Sequence, residues 1–169
     1  MRTLNRLSLL LLLVSSLAAA EDNALTAIGA TLDAFHAAAD RGDKDAYLGL
    51  MTGNGVFLGT DEWERWPKQP DFTDYVSGRF QNGRGWSYRS VERNVDLTPD
   101  GTVAWFDEVV FSETNGRFRG TGVLLNTADG WKIAHYAMSF LILNENWEDV
   151  VALTRQTKAA KAAAAGEPD

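Results

Sequence analysis

The sequence contains no cysteine and only two histidines, His36 and His135. The lack of cysteine excludes disulfides, thiol catalysis, thiolate metal sites and a lipid-modified cysteine anchor. The two histidines are too far apart in the chain to form the paired spacing of a histidine metal motif. The sequence therefore predicts no metal and no cofactor, and a domain held together by its apolar core alone.

Basic residues are also scarce: 16 Lys and Arg oppose 23 Asp and Glu, which gives a net charge of −7. Two of these cations, Arg2 and Arg6, precede an apolar run at residues 7–17 and three alanines at residues 18–20, as in a secretory signal peptide. A membrane anchor is the alternative, but the run is shorter than the ~20 residues of a span. Residues 1–20 are thus predicted to be a cleaved signal peptide, and the mature protein to be periplasmic or secreted.

Loss of Arg2 and Arg6 with the signal peptide removes two positive charges and no acid, so the net charge becomes −9 instead of −7. Nucleic acids and anionic membranes are bound by clustered Lys and Arg, which the mature chain does not offer. We therefore expect neither partner, and no membrane span after cleavage.

The pattern that follows predicts one domain, residues 21–157, and an alanine-rich, flexible tail at residues 158–169. A first helix, capped by Asp22 or Asn23 and ended by Gly42, repeats apolar residues three and four apart. A second helix is predicted at residues 43–51, a turn at residues 52–55 and a short strand at residues 56–61. Residues 61–70 indicate a loop or a single helical turn, a third helix starts near Phe72, a strand covers residues 86–97, and Asn144 caps a last helix.

Residues 102–141 predict three long antiparallel strands, at residues 102–114, 117–126 and 131–141. The turns between them fall at Asn115-Gly116 and Asp129-Gly130, because both dipeptides accept the positive φ of tight hairpin turns. Helices first and strands second are typical of an α+β fold. We expect a curved antiparallel sheet wrapped around the N-terminal helices, forming a cone with an internal pocket.

At this point the chain resembles the SnoaL-like domains of the nuclear-transport-factor-two-like superfamily. The resemblance rests on an ordered set of segments: FHAAADRGD at residues 35–43, GVFLGTDEWERW at 55–66, AWFDE at 104–108, RGTGVL at 119–124 and WKIAHY at 131–136. It implies a cone-shaped fold, often dimeric, that serves isomerases, dehydratases, cyclases and many non-catalytic binders. The fold alone does not settle the function.

Ketosteroid isomerases of this superfamily combine an Asp base with an oxyanion hole of Tyr and a protonated Asp. When Gly42-Asp43 is aligned with the family's Gly-Asp, that tyrosine falls on Phe35 and the base on Gly59. The oxyanion acid falls at or near Gly122. All three groups are missing, so the isomerase mechanism is not supported.

Gly120 and Gly122 lie on one face of the middle strand, where glycine weakens a strand unless something approaches closely. With a two-residue turn at Asn115-Gly116, these glycines share a face with Trp105 and Asp107. We therefore predict a pocket over this glycine trough. The residues proposed to bind a ligand are Trp66, Tyr75, Trp86, Trp105, Gly120, Gly122 and Tyr136, although for any single aromatic side chain a place in the core is favoured because it buries a large apolar area.

Three side chains are candidates for acid–base catalysis. Asp61 lies two residues beyond the lost base and is its displaced counterpart, a hydrogen-bonding acid at the pocket mouth or a cap for the turn that follows. Asp107 over the trough is either a desolvated base or a hydrogen-bonding partner of Tyr and Trp groups. On the last strand the register leaves open whether His135, a natural general base, or Tyr136 faces the pocket.

Glu108 and Arg119 occupy the opposite face, with Arg93 on the preceding strand, and predict an ion network that stabilises the sheet or a dimer. Phe106 and Val123 on that face need cover, which favours a homodimer. Three functions remain open. They are an exported binder of a small, partly apolar molecule, a cofactor-free lyase, isomerase or cyclase that uses Asp61 or Asp107 with His135, and an interaction domain whose cavity is filled by its own aromatic residues.

Overall fold

The computed structural model describes the backbone of residues 4–165 and the side chains of residues 19–164. The helices are α1 (Leu4–Asp40), α2 (Lys44–Gly49), α3 (Thr73–Arg79) and α4 (Trp147–Ala165). The strands are β1 (Met51–Leu58), β2 (Arg65–Pro67), β3 (Arg89–Leu97), β4 (Val103–Ser112), β5 (Gly116–Thr127) and β6 (Gly130–Phe140). A kinked turn, Lys68–Phe72, in which Gln69 has extended backbone angles (φ −120°, ψ 133°), leads into α3, and a 3-10 turn, Asn144–Asn146, leads into α4.

The six strands form one curved, unclosed sheet in the order β2-β1-β6-β5-β4-β3. The β1–β2, β3–β4 and β4–β5 pairs are antiparallel, whereas β1 and β6 run parallel. The predicted α+β class with N-terminal helices and a curved sheet is confirmed. The sheet is mixed rather than wholly antiparallel, because β1, which precedes the other strands in the chain, joins the free edge of the last one.

The core lies between α1 and the sheet, and aromatic side chains fill most of it. The apolar stripe of α1 enters as predicted, with Ile28, Leu32 and Phe35 at most 2% exposed. Phe35 stacks on Tyr47 of α2, with ring centroids 4.0 Å apart. Phe57 of β1 stacks on Tyr136 of β6 at 5.6 Å. Because rings occupy the centre, the deep part of the predicted cone is packed core.

The β4–β5 hairpin differs from the predicted two-residue turn. Ser112 pairs with Gly116, so the loop contains three residues, 113–115. Gly116 has a φ of +83°, a conformation that glycine adopts without strain. The predicted turn would pair residue 114 with residue 117 and therefore residue 112 with residue 119. In the structure residue 112 pairs with residue 116, so the register differs from the predicted one by three residues, an odd number. Every assignment of β5 residues to a face of β4 is therefore reversed.

Several element boundaries also differ from prediction. Helix α1 continues through residues 20–23, so Asp22 and Asn23 do not cap it in the full chain. The predicted turn at residues 52–55 belongs to strand β1, which begins at Met51. Leu143, not Asn144, precedes the short turn before the last helix, and the side chains make no capping hydrogen bond there.

The chain divides into two compact units, residues 1–139 and 140–169. The second unit contains the 3-10 turn and α4, whose first turn carries Glu148 and Asp149. The segment predicted as a flexible tail is helical as far as Ala165, and residues 166–169 lie outside the described residues. Its flexibility stays a prediction.

The predicted signal peptide, residues 1–20, falls almost entirely on residues whose side chains are not described. Within the described part of the chain, no helix combines the length and the apolar character that crossing a membrane requires. Cleavage near Ala20 stays a prediction.

Candidate functional site

An open cavity of about 160 Å³ lies where the ends of β1 and β6, strand β2 and helix α3 meet. We call it the mouth pocket. The segment between α3 and β3 and the β4–β5 loop complete its wall. Its lining residues are Phe57, Gly59, Thr60, Glu64, Trp66, Tyr75, Arg79, Trp86, Tyr88, Asn115 and Met138.

Stacked aromatic rings form the apolar wall of the mouth pocket. Trp66 stacks on Tyr75 with centroids 4.4 Å apart, and Tyr75 faces Trp86 at 6.1 Å. Trp66 is fixed by strand β2, which pairs with β1 through Phe57 and Trp66. Tyr75 lies in the first turn of α3, directly after the kinked turn at Lys68–Phe72. The segment predicted as a loop at residues 61–70 therefore carries a short strand that places one wall of the pocket.

Two charged residues of opposite sign line the mouth pocket. The Glu64 carboxylate accepts a hydrogen bond from the Asp61 backbone N–H at 3.0 Å and is thereby held in its own loop. Arg79 is exposed at the end of α3 and makes no ion pair with any described residue. Arg79 is therefore the charge of this pocket that is free to meet a ligand.

Of the residues predicted to bind a ligand, three lie in this wall: Trp66, Tyr75 and Trp86. Trp105, Gly120, Gly122 and Tyr136 do not line it. The glycine trough is closed, because a Cβ at Gly120 would collide with the Tyr136 hydroxyl and a Cβ at Gly122 with the His135 carbonyl oxygen. Trp105 is 47% exposed on the other face of the sheet. The pocket predicted over the trough is thus wrong, since the reversed hairpin register puts Phe106 and Glu108 opposite these glycines.

The same reversal places Glu108 inside the protein, where it is the centre of a buried network. His36 Nε2 lies 2.7 Å from Glu108 Oε1, and the Tyr136 hydroxyl donates to the same oxygen at 2.8 Å. Arg93 Nε donates to Oε2 at 2.9 Å. Arg93 Nη2 is equally close to Oε2, but its angle is unsuitable for a hydrogen bond. Arg93 Nη1 reaches Asp33 on α1 at 2.9 Å, so the network ties α1 to the sheet.

These contacts decide the charges of the network. Burial alone raises the pKa of Glu108, but the hydrogen bond and charge of His36, the charge of Arg93 and the Tyr136 hydroxyl outweigh it and lower the pKa to about 2. Burial lowers the pKa of Arg93, but Glu108 and Asp33 more than offset this, so the pKa is raised. Burial and the charge of Glu108 raise the pKa of Tyr136 well above its ordinary value. At neutral pH Glu108 is an ionised acceptor surrounded by donors.

A second tyrosine, Tyr47, is buried beside this network without taking part in it. Burial raises the pKa of Tyr47, and interaction with Trp86 lowers it by a smaller amount. Among the described residues, the Tyr47 hydroxyl nevertheless finds no hydrogen-bond partner of acceptable geometry. The Tyr47 ring lies within the aromatic core, where the Trp86 ring packs against it in a T-shaped arrangement with centroids 5.6 Å apart.

The predicted ion network is right for Arg93 and Glu108 and wrong for Arg119. Arg119 lies on the outer face, where its Nη1 is 3.5 Å from Asp107 Oδ1. Phe106 was expected on that face and is buried on the inner one. The physical cause is again the three-residue hairpin loop, which exchanges the two faces of β4 relative to β5.

The three catalytic candidates are not brought together. Asp61 is exposed after β1 and accepts a hydrogen bond from the Glu62 N–H at 2.7 Å, as the capping alternative expects. Asp107 points outward, where Asn94 and Arg119 contact it. His135 is half-buried on β6 and lines neither the mouth pocket nor the groove beside α1, while Tyr136 is the residue that faces inward. A catalytic role for any of the three stays a prediction.

Sequence reasoning missed Arg79 and the contacts of His36. Arg79 follows Tyr75 by four residues, which places both on one face of a helix, and this spacing could have identified it. His36 lies on α1 and is 7% exposed. Its link to Glu108 joins residues 72 positions apart, for which the sequence contains no signal. Among the described residues no group of three or more His, Asp or Glu is placed to hold a metal ion.

Solved structures with the same fold are numerous. A Mycobacterium tuberculosis protein of unknown function superposes with a TM-score of 0.63 at 15% identity, covering 76% of this chain and 78% of that one. A proposed dehydratase of the NTF2-like family from Streptomyces avermitilis gives 0.60 at 19% identity, over 73% and 99% of the two chains. A proposed aromatic ring hydroxylase from Novosphingobium aromaticivorans gives 0.59 at 22%, over 70% and 89%.

At these identities the likeness concerns the fold and not the activity. The comparison with curated proteins gave no match. The SnoaL-like domain family matches residues 28–143. This range includes all six strands and the C-terminal part of α1, residues 28–40, which packs on the sheet. The chain belongs to the SnoaL-like domain family.

Proposed function

We propose that this domain binds a small planar molecule, one apolar ring with an anionic substituent, in the mouth pocket. The observation that carries the proposal is the stacked wall of Trp66, Tyr75 and Trp86 around an open cavity that also presents the unpaired Arg79. Aromatic walls favour flat apolar groups through stacking and buried area. A guanidinium favours a carboxylate, with which it can form two parallel hydrogen bonds.

The size of the cavity limits the ligand. Pockets for drug-sized molecules measure roughly 300–1,000 Å³, whereas the mouth pocket measures about 160 Å³. A cavity of about 150 Å³ is sufficient for benzene. The pocket therefore takes a single ring, and any larger part of the ligand projects through its open side.

The charge of the protein makes Arg79 more important. With a net charge of −7 before cleavage, the molecule as a whole repels anions. Arg79 is exposed at the mouth and pairs with no described carboxylate, so it supplies local attraction for an anion. An anionic ligand is then attracted by the charge of Arg79 at the pocket and not by the electrostatic field of the whole protein, which is negative.

Binding of benzoate, followed by ligand-observed NMR, tests the proposal. Trp86→Leu removes one half-buried ring of the wall, and we expect it to weaken binding about tenfold or more, since one aromatic contact contributes roughly 0.5–1.5 kcal/mol beyond its buried area. Arg79→Gln should weaken benzoate without affecting binding of the neutral analogue benzyl alcohol.

The matched controls lie on the outer face of the sheet. Trp105→Leu removes an indole that is 47% exposed and does not line the pocket, and Arg119→Gln removes a cation of the same type. Both should leave benzoate binding unchanged. If Trp86→Leu and Trp105→Leu behave alike, the mouth pocket is not the binding site.

The packed interior gives the interaction-domain alternative its specific support. Phe35, Tyr47, Phe57 and Tyr136 fill the space in which a large ligand would lie. A domain that binds neither benzoate nor benzyl alcohol would therefore be assigned to this alternative. The cofactor-free lyase, isomerase or cyclase gains no support from the positions of Asp61, Asp107 and His135.

We also propose export and dimer formation. Export follows from the signal-peptide pattern, and the mature protein should begin near Glu21. N-terminal sequencing of protein from an exporting bacterium that finds Arg2 retained would contradict it.

The proposed dimer pairs two copies through the outer face of the sheet. There the exposed Trp105 stands directly opposite Val123, while Phe106, expected there from the sequence, is buried inside. A two-fold pair would cover the indole in both copies. Light scattering should give a dimer at micromolar concentration that Trp105→Arg converts to a monomer, and a wild-type monomer would contradict it.

A further inference from the structure

A second cavity, of about 300 Å³, lies between helix α1 and the chain that enters β3. We call it the α1 groove. Its lining residues are Asp33, His36, Ala37, Asp40, Ser87, Tyr88, Arg89 and Ser90. Of these described lining residues only Tyr88 also lines the mouth pocket, so the two cavities are neighbouring sites with otherwise different linings.

We propose that the α1 groove is a chemical site in which His36 accepts a proton from water or another hydroxyl compound, and that Glu108 is the positioning residue for His36. Neither residue belongs to the ligand site proposed above. Catalysis by a histidine that a buried carboxylate orients is a general arrangement in nucleophilic and general-base enzymes.

The state of Glu108 determines which nitrogen of His36 carries the hydrogen. An ionised carboxylate can only accept hydrogen bonds, and Glu108 Oε1 lies 2.7 Å from His36 Nε2. Nε2 must therefore bear the hydrogen that it donates. In the neutral imidazole the lone pair is then left on Nδ1, because the two ring nitrogens have opposite roles. Glu108 selects the tautomer in which Nδ1 is the base.

Nδ1 of His36 is also accessible. The side chain is 9% exposed and lines the groove. Its hydrogen bond and ion pair with Glu108 both use Nε2, and among the described residues the buried side-chain nitrogen and oxygen atoms without a partner belong to Tyr47, Thr52 and Arg93. A nitrogen that is neither bonded nor fully buried must reach solvent, and the groove is the solvent next to it.

The other groups of the groove indicate the substrate. Asp33 and Asp40 lie one turn on either side of His36 on the same face of α1, and Arg89, Ser87 and Ser90 face them. Asp33 is engaged by Arg93 and Arg89 lies over the Phe111 ring at 4.7 Å. Asp40 forms no ion pair with a described residue and disfavours anions beside the base, while the hydroxyl groups of Ser87 and Ser90 offer hydrogen bonds. The site therefore suits water or a small uncharged hydroxyl compound.

The proposed step conserves atoms and charge. As a water oxygen attacks an ester carbonyl carbon, one water proton passes to His36 Nδ1. The C–O bond to the leaving alkoxide breaks, and the products are a carboxylic acid and an alcohol or its anion. The imidazolium then returns its proton to solvent. Glu108 remains ionised throughout and stabilises the transient positive charge on the ring.

Hydrolysis of 4-nitrophenyl acetate, followed by release of 4-nitrophenolate, tests the proposal on the full chain. The protein offers a clean background, since it has no cysteine and only one other histidine. His36→Gln keeps an N–H that can donate to Glu108 but lacks a base, so we expect kcat to fall by about a hundredfold. The matched variant His135→Gln, on β6 and outside the groove, should retain wild-type turnover.

Glu108 is tested through the separation of kcat from KM. Glu108→Gln should lower kcat because the amide no longer selects the Nδ1 base or stabilises the imidazolium, while KM stays the same. Asp107→Asn, the neighbouring carboxylate on the outer face, should change neither. Equal turnover of wild type and His36→Gln, or a Glu108→Gln effect confined to KM, would overturn the proposal.

Labelling with diethyl pyrocarbonate gives an answer even if His36→Gln fails to fold. In the His135→Gln protein, His36 is the only imidazole, and mass spectrometry locates the carbethoxyl group. Nδ1 forms a bond to the carbonyl carbon and ethyl carbonate leaves. Modification of His36 in the folded protein supports an accessible Nδ1. A folded protein that stays unlabelled contradicts it.

Discussion

Asp107 and Glu108 are neighbours in the sequence, but their carboxylates lie in opposite environments. Asp107 is 44% exposed on the outer face and contacts Arg119 at 3.5 Å. Glu108 is fully buried, with three hydrogen-bonding partners within 2.9 Å. Charges near water interact weakly because solvent screens them, whereas a buried carboxylate must be compensated by its partners. The comparison shows that the face of the strand on which a carboxylate lies, and not the type of residue, decides how much it contributes to the stability of the fold.

The largest difference between the two acids is expected when each is replaced by alanine in a separate variant. Glu108→Ala leaves Arg93 without its counter-ion and removes the acceptor of His36 and Tyr136. We expect a loss of about 3–5 kcal/mol in the free energy of unfolding, as for other broken buried pairs. Asp107→Ala should change it by about 0.5 kcal/mol or less. Urea denaturation measures both, and similar losses would show that Glu108 is not the buried centre of the network.

Acid should reveal the same difference without removing a side chain. Because the pKa of Glu108 is about 2 in the folded protein against an ordinary 4.5, its contribution is present above pH 4.5 and is lost as the pH falls through 2. From about pH 6 to about pH 2.5, this amounts to roughly 2–3 kcal/mol. The free energy of unfolding, measured at both pH values, should therefore decrease by roughly 2–3 kcal/mol less in Glu108→Gln than in Asp107→Asn. Parallel losses in the two variants would contradict the assignment.

The closed glycine trough predicts a smaller effect. In Gly122→Ala the added methyl group meets the His135 carbonyl and Phe106 Cε1 at 2.7 Å, so we expect a loss of about 1–3 kcal/mol from overpacking. Gly78→Ala in α3 is the control, since nothing lies within 4 Å of its Cβ. It should stabilise the helix by about 0.5–1 kcal/mol. Thermal unfolding of the two variants should shift in opposite directions, and a stable Gly122→Ala protein would reopen the pocket predicted there.

The outer ion pair should give the smallest effect. Arg119→Gln removes the partner of Asp107, and two side chains that are nearly half exposed contribute about 0–1 kcal/mol. The difference from wild type should disappear in about 1 M salt, where screening acts within roughly 3 Å. A loss that persists at high salt would mean that the outer pair is shielded, for example by a second copy of the chain.

The candidate site could be predicted only in part. Trp66, Tyr75 and Trp86 were recognisable as wall residues because large aromatic side chains punctuate a loop-rich stretch of the sequence. Trp105 and Asp107 were assigned to the pocket through a hairpin of assumed length, and one added loop residue moved both to the other side of the sheet. Sequence patterns fix which residues alternate along a strand, but not which face meets the core when glycines and charges occupy both.

The sequence by itself determined the class of the fold, because periodic apolar residues in α1 and the alternation of β4, β5 and β6 are local properties that need no partner to be read. It also determined what is absent, since composition rules out thiol chemistry and paired histidines. Only the tertiary structure decided the site. His36, Arg93, Glu108 and Tyr136 come from four elements, and their meeting depends on loop length, strand register and the packing of α1 on the sheet. These are long-range geometric relations, to which no short stretch of sequence is sensitive.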